Sequence, residues 1–137
     1  MTGACSDAAG TLIMLAREME AADQIQQSKL LCDTWDLLAK PGSADADQSS
    51  RFMRCIEAEA FESAAIMLVP EESLFTVRNV WNGDKTAALA TVIPYKVDAD
   101  RRRLWMAKQQ GFATTPALAV AAACLRARAL RDSVHLG

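Results

Sequence analysis

Between Thr114 and Leu130 the chain reads TTPALAVAAACLRARAL, and no other stretch restricts its fold as tightly. Thr115 ahead of Pro116 is a helix start. The threonine oxygen can accept from a free amide, and the fixed φ of proline suits the first turn without losing a hydrogen bond. Alanine has the lowest helix cost of any residue, so the segment predicts a helix throughout. Leu118, Ala121, Ala122, Leu125 and Ala129 share one face, and Val120 and Cys124 widen it until the first turns are apolar on most sides. Such a helix belongs in the centre of a core, where small side chains let neighbours come close. Arg126, Arg128 and Arg131 stand near its end, where positive charge interacts favourably with the helix dipole. The alternatives are a membrane anchor or a dimerisation face. The uncharged apolar run from Ala117 to Leu125 is about half of the roughly 20 residues a span needs, and core packing is the simpler use of the rest.

The chain has 137 residues, which predicts one domain able to bury roughly two-thirds of its unfolded surface. Its 51% apolar and 23% charged residues are ordinary for a globular protein, and a net charge of −2 gives no general pull toward nucleic acid or anionic membranes. Cys5, Cys32, Cys55 and Cys124 form no close pairs, so reduced thiols in a cytoplasm are expected, although an even count allows one bridge. The single histidine, His135, makes histidine-dependent catalysis an unfavourable reading. MTGACSD lacks the positive region of a secretory signal.

Upstream, the expected class is α+β. Ser6 or Asp7 is a candidate cap for a first helix striped by Ala8, Leu12, Leu15, Met19 and Ala22. A second helix, with Ser28 as cap, carries Leu30, Leu31, Trp35 and Leu38 and stops at Pro41-Gly42. Residues 6–41 then make a helical hairpin, and 52–130 an α-β-β-α core. Gly42 to Ser50 is a loop by composition, and a third helix is expected from Phe52 to Leu68, ended by Pro70. LFTVRNVW, Leu74 to Trp81, alternates as a strand, and Asn82-Gly83 suits a type I′ turn into a return strand from Thr86 to Ile93, stopped by Pro94. Lys96 to Gln110 reads as either a third strand or a short helix.

ESAAIMLVPEE (Glu62 to Glu72), a tryptophan-containing hairpin and ATTPALAVAAACLRARA (Ala113 to Ala129) together resemble a family of small uncharacterised proteins. These are encoded by bacteriophages, prophages and related gene-transfer elements. The matching positions are Leu68, Val69, Pro70 and Glu71, then Thr115 to Ala119. The resemblance implies a phage α-β-α sandwich type of domain and a mobile-element origin. It supplies no catalytic residues.

Glu57, Glu59, Glu62, Glu71 and Glu72 are read as a solvated acidic face, since no glycine-bearing calcium loop accompanies them. Arg101, Arg102 and Arg103, with Trp105 and Lys108, form the main candidate partner-binding site. Arginine and tryptophan are over-represented among interface hot spots. The competing reading has Trp105 capping the core and the arginines solubilising an edge. No catalytic set, cofactor loop or metal-ligand spacing is recognisable, so the expected role is non-enzymatic. The protein is read as an accessory protein binding a host or phage protein, with inhibition of a host defence complex (anti-CRISPR-like) as one version. The alternatives are nucleic-acid binding through the arginine cluster, or a minor place in the virion. Charge reversal at Arg102 and Arg103 is expected to weaken partner binding with little effect on stability.

Overall fold

The computed structural model describes residues 3–38, 46–82 and 85–135. Among these residues five α-helices accompany a four-stranded antiparallel sheet, with α5 and α1 packed on the sheet and the other helices around them, in the order α1 (Gly3–Ala21), α2 (Gln27–Leu38), α3 (Ala46–Glu57), α4 (Phe61–Ile66), β1 (Ser73–Asn82), β2 (Lys85–Val97), β3 (Arg103–Trp105), β4 (Gln109–Ala113) and α5 (Pro116–His135). The fold is α+β.

The alanine-rich segment is the centre. Thr115 Oγ1 accepts from Leu118 N–H at 3.2 Å, closing the N-terminus of α5. From Ala117 through Leu125 every residue of α5 is buried, and Ala127 and Ala129 continue the pattern. Leu12, Leu15, Ala16 and Met19 of α1 join that core, and both α1 and α2 pack on α5 more extensively than on each other. Across the sheet layer, Ala88, Ala90 and Val92 of β2 and Ala113 of β4 are buried. Alanine on both layers brings helix and sheet backbones close together.

That closeness is tightest at Gly111 in β4. A methyl group there would run into the Ala119 carbonyl oxygen and stand 2.8 Å from Ala123 N. The position is a strand glycine where another backbone passes.

Several local expectations shift. α1 begins at Gly3, so Ser6 and Asp7 lie inside its first turns. A short 3₁₀ turn (Gln24–Gln26) leads into α2 and opens at Asp23, whose N–H donates to Gln26 Oε1; Ser28 lies within α2. The second half of the composition-defined loop is helical, since α3 starts at Ala46; Pro41 to Asp45 lie outside the described residues. The single third helix is two. Glu59 takes φ 58°, and Ala60 N–H bonds the Cys55 carbonyl at 2.8 Å, which breaks the helix between α3 and α4. Phe52 of α3 is fully buried and stacks on Trp35 with centroids 4.5 Å apart.

β1 and β2 pair from Ser73↔Pro94 to Asn82↔Lys85. The link is therefore the two residues 83–84, one later than Asn82-Gly83, and it lies outside the described residues. Pro94 does not stop β2. It sits opposite Ser73, where Tyr95 N–H instead bonds the Glu72 carbonyl, so no donor is required of it. Beyond it β2 pairs with β3, through Tyr95↔Trp105 and Val97↔Arg103. Within Lys96 to Gln110 the strand alternative therefore holds, as the end of β2, β3 and the start of β4, with a turn at 98–102 and a break at 106–108. Met106, Ala107 and Lys108 stand opposite only Ile93 and Pro94, the one-residue excess of a β-bulge, and β4 resumes the ladder at Val92↔Gln109.

The three arginines of α5 act as struts to distant parts of the chain. Arg126 forms a two-pronged ion pair with Glu20 of α1 and donates to the Gln110 carbonyl at 2.7 Å. Glu20 also accepts from Phe112 N–H at 2.9 Å. Gln110 O and Phe112 N belong to the edge of β4 that β2 leaves open, so this ion pair seals that edge. Arg128 reaches the Leu38 carbonyl at the end of α2, and Arg131 binds the carbonyls of Glu71 and Glu72 just before β1.

The Arg126 hydrogen bonds hold the Glu20 carboxyl below the ordinary glutamate value against the opposing effect of burial, helped by Phe112 N–H. A lowered folded-state value means that the contribution is complete above the unfolded value of about 4.3. It is lost as pH falls through the folded value. Urea unfolding at a series of pH values should therefore show wild-type stability dropping in the acid range. Glu20→Gln should start about 2 kcal/mol lower at neutral pH and lose less on acidification. Parallel pH profiles for the two proteins would remove this role.

Candidate protein-binding site

Arg101, Arg102, Arg103 and Trp105 fall on the β2–β3 hairpin, and Lys108 follows in the bulge between β3 and β4. Asp98 organises its turn. Arg101 N–H bonds the Asp98 carbonyl at 3.0 Å and Asp98 N–H bonds the Arg102 carbonyl at 3.0 Å. Oδ1 of Asp98 accepts from the N–H groups of both Asp100 and Arg102, at 2.9 and 2.8 Å. Arg101 has φ 63°, the left-handed position that ends a three-residue hairpin loop. An arginine there costs about 1 kcal/mol relative to glycine, a cost carried by the surrounding turn.

The three arginines are not equivalent. Arg102 Nε lies 3.2 Å from Asp98 Oδ2, and its Nη2 lies 3.3 Å from Asp100 Oδ2. Its charge is taken up by its own turn. Reversing Arg102 would set three carboxylates together in this turn, so a binding loss there would mix a turn effect with a partner effect; Arg101 and Arg103 are the informative pair. Arg101 and Lys108 are exposed and make no ion pair among the described residues. Arg103 lies over the Tyr95 ring, 5.0 Å from its centroid. Trp105 meets the same ring edge-on, with centroids 5.1 Å apart and planes at 64°.

Tyr95, unnoticed in the sequence, is thus the hub of the cluster. Its position was hidden because the strand was expected to end at Pro94. Tyr95 and Trp105 face each other across β2 and β3 on the side of the sheet away from the helices. Alternation along β2 puts Leu89 and Ile93 on that side too, with Phe112 opposite Leu89 and Leu74 opposite Ile93. Trp105 is 50% exposed, Leu74 51% and Phe112 40%. No described helix covers this face, so Trp105 does not cap the core.

Outside this surface the chemistry is sparse. Cys32, Cys55 and Cys124 are free thiols; burial pushes Cys124 up to about 12, and burial with Asp36 and Asp33 raises Cys32. The acidic residues Glu57, Glu59, Glu62, Glu71 and Glu72 are exposed. Among the described residues no group of three histidine, cysteine or acidic side chains could hold a metal ion, and no helix is long and apolar enough to cross a membrane. A cavity beside the end of α5 is lined by Trp35, Cys124, Arg128 and Arg131, but both arginines already bind main-chain carbonyls. No family model, curated protein or solved structure matches this chain.

Proposed function

We propose that this is a cytoplasmic accessory protein of a bacteriophage, prophage or related mobile element. In this reading it is not an enzyme and acts by binding a host or phage protein. The observation that carries the reading is the uncovered sheet face. Trp105 and Phe112 stand half-exposed there, and Arg101 and Arg103 bring positive charge to the β2–β3 hairpin, with Lys108 exposed in the bulge that follows. Apolar side chains ringed by charge are the usual anatomy of a protein interface, and exposed apolar patches of this kind mark interaction sites. The mobile-element origin is supported by the Leu-Val-Pro-Glu turn and the Thr-Pro-Ala-Leu-Ala helix start. Inhibition of a host defence complex is one form this activity would take.

Affinity capture from the bacterial host tests the proposal. The wild type is expected to recover a protein partner, with binding reduced more than tenfold by Arg101→Glu with Arg103→Glu, and by Trp105→Ala. Thermal melts of the three proteins should lie within a few degrees of one another, because none of these side chains is in the core. Undiminished capture by both variants would remove this face from consideration.

Nucleic-acid binding is a second reading, favoured by Trp105 standing exposed beside Arg103, an arrangement on which a base could stack. Asp98 and Asp100 in the same turn oppose it. Binding of this kind should weaken steeply with salt. Absence of any shift with single- or double-stranded DNA or RNA at low salt would end it.

A further inference from the structure

The two edges of the sheet are treated differently by the rest of the chain. At β4 the edge groups Gln110 O and Phe112 N are bonded by Arg126 and Glu20. At β1 nothing among the described residues does the same, although β1 is ten residues long and, at about 3.3 Å per residue, roughly 33 Å in extent. Its side chains are exposed on both faces. Leu74 is 51% exposed, Phe75 36%, Val77 40% and Trp81 73%. A long apolar edge of this kind is a template for another strand, which chains ordinarily blunt with charge, proline or a covering element.

We propose that the β1 edge pairs with the β1 edge of a second copy of this chain, antiparallel about a two-fold axis at Val77. The phase of the β1–β2 ladder supports this centre. Tyr95 N–H bonds the Glu72 carbonyl, so by antiparallel alternation the even residues of β1 exchange their main-chain bonds with β2. Ser73, Phe75, Val77, Asn79 and Trp81 direct theirs to the open edge. That set is symmetric about Val77. Antiparallel self-pairing there sets Val77 against its own copy, Phe75 against Asn79 and Ser73 against Trp81. Every opposed pair then carries edge-facing groups on both sides. About ten main-chain hydrogen bonds result, as many as a standard interface carries in total.

The side chains fit the same register. Arg78 is the one ionisable residue of β1, and it falls opposite Thr76 rather than its own copy. A shift of one residue in the centre, to Arg78, would oppose two guanidinium groups. Leu74 meets Val80 on the outer face. On the helix side Trp81 lies over the small Ser73, with Phe75 on its diagonal. Such pairing stops at two copies because an isologous contact closes on itself, and the β4 groups Gln110 O and Phe112 N are already bonded.

Sedimentation equilibrium under reducing conditions tests the proposal. Wild type is expected at twice 14.8 kDa at micromolar concentration. Val77→Lys, which places two like charges on the axis, should raise the dimer dissociation constant more than tenfold with unchanged circular dichroism. Val77→Pro serves as a second variant. It removes an edge-facing donor that β2 does not use, and proline is tolerated at such positions. The register is read by Thr76: Thr76→Glu, opposite Arg78, should tighten the dimer and Thr76→Lys loosen it. A wild-type mass of 14.8 kDa throughout the micromolar range overturns the proposal. So does a dimer that persists in both Val77 variants, and equal effects of the two Thr76 variants overturn the register.

Discussion

Leu118→Asp is expected to leave the chain unfolded, with the far-ultraviolet circular dichroism of a largely disordered polypeptide and no cooperative thermal transition. Leu118 is completely buried in the first turns of α5, surrounded by the alanines and leucines of the core. Removing its side chain costs about 3 kcal/mol through lost burial and the cavity left behind. A carboxylate in the same place adds several kcal/mol more, because no buried cation is there to pair with it. Domains are stable by only about 5–15 kcal/mol, so the sum consumes most or all of it. Leu118→Met, which preserves volume, should cost less than about 1.5 kcal/mol. A soluble, cooperatively folded Leu118→Asp protein would overturn the placement of α5 at the centre.

Gly111→Ala and Gly10→Ala make a matched pair with opposite signs. At Gly111 the added methyl meets the carbonyl of Ala119, the amide nitrogen of Ala123 and, at 3.0 Å, the Ala122 side chain. Two of these obstacles are helix backbone, which cannot rotate aside, so β4 and α5 must separate. The expected loss is about 3 kcal/mol, or roughly 10 °C in melting temperature. At Gly10, inside α1, a methyl would meet nothing within 4 Å. There the substitution should raise stability by about 0.5–1 kcal/mol through the better helix propensity of alanine. Melting curves of the two variants check both signs together. A neutral Gly111→Ala would mean that the layers are not in the close contact described.

What the sequence disclosed and what it withheld follow a physical division. α5 was legible because its signals are local: a threonine cap, a proline in the first turn and an uninterrupted apolar surface. The β1–β2 hairpin was legible from alternation, and its turn was displaced by one residue because Asn82 pairs with Lys85 instead of turning. The break between α3 and α4 left no mark, since neither glycine nor proline occurs between Ala58 and Ala60 and Glu59 itself takes the positive φ. The arginines of α5 read as complements to a helix dipole. Their partners, Glu20, Leu38 and Glu71–Glu72, lie 59 to 106 positions away in the chain. Such partners are set by the tertiary fold alone. In the candidate site, Arg101, Arg103 and Trp105 were visible as residue types. The grouping of Arg103 and Trp105 on Tyr95 and the neutralisation of Arg102 depended on a strand continuing through Pro94.

The position of α5 in chain order also sets a schedule for synthesis. α1 leaves the ribosome roughly a hundred residues ahead of the helix against which Leu12, Leu15 and Met19 are buried. At about 5–20 residues per second that is an interval of roughly 5–20 s, during which this apolar stripe has no permanent cover. Here the helices and strands wait for α5, and a chain interrupted before Pro116 would hold the elements that surround this helix and nothing to wrap them around.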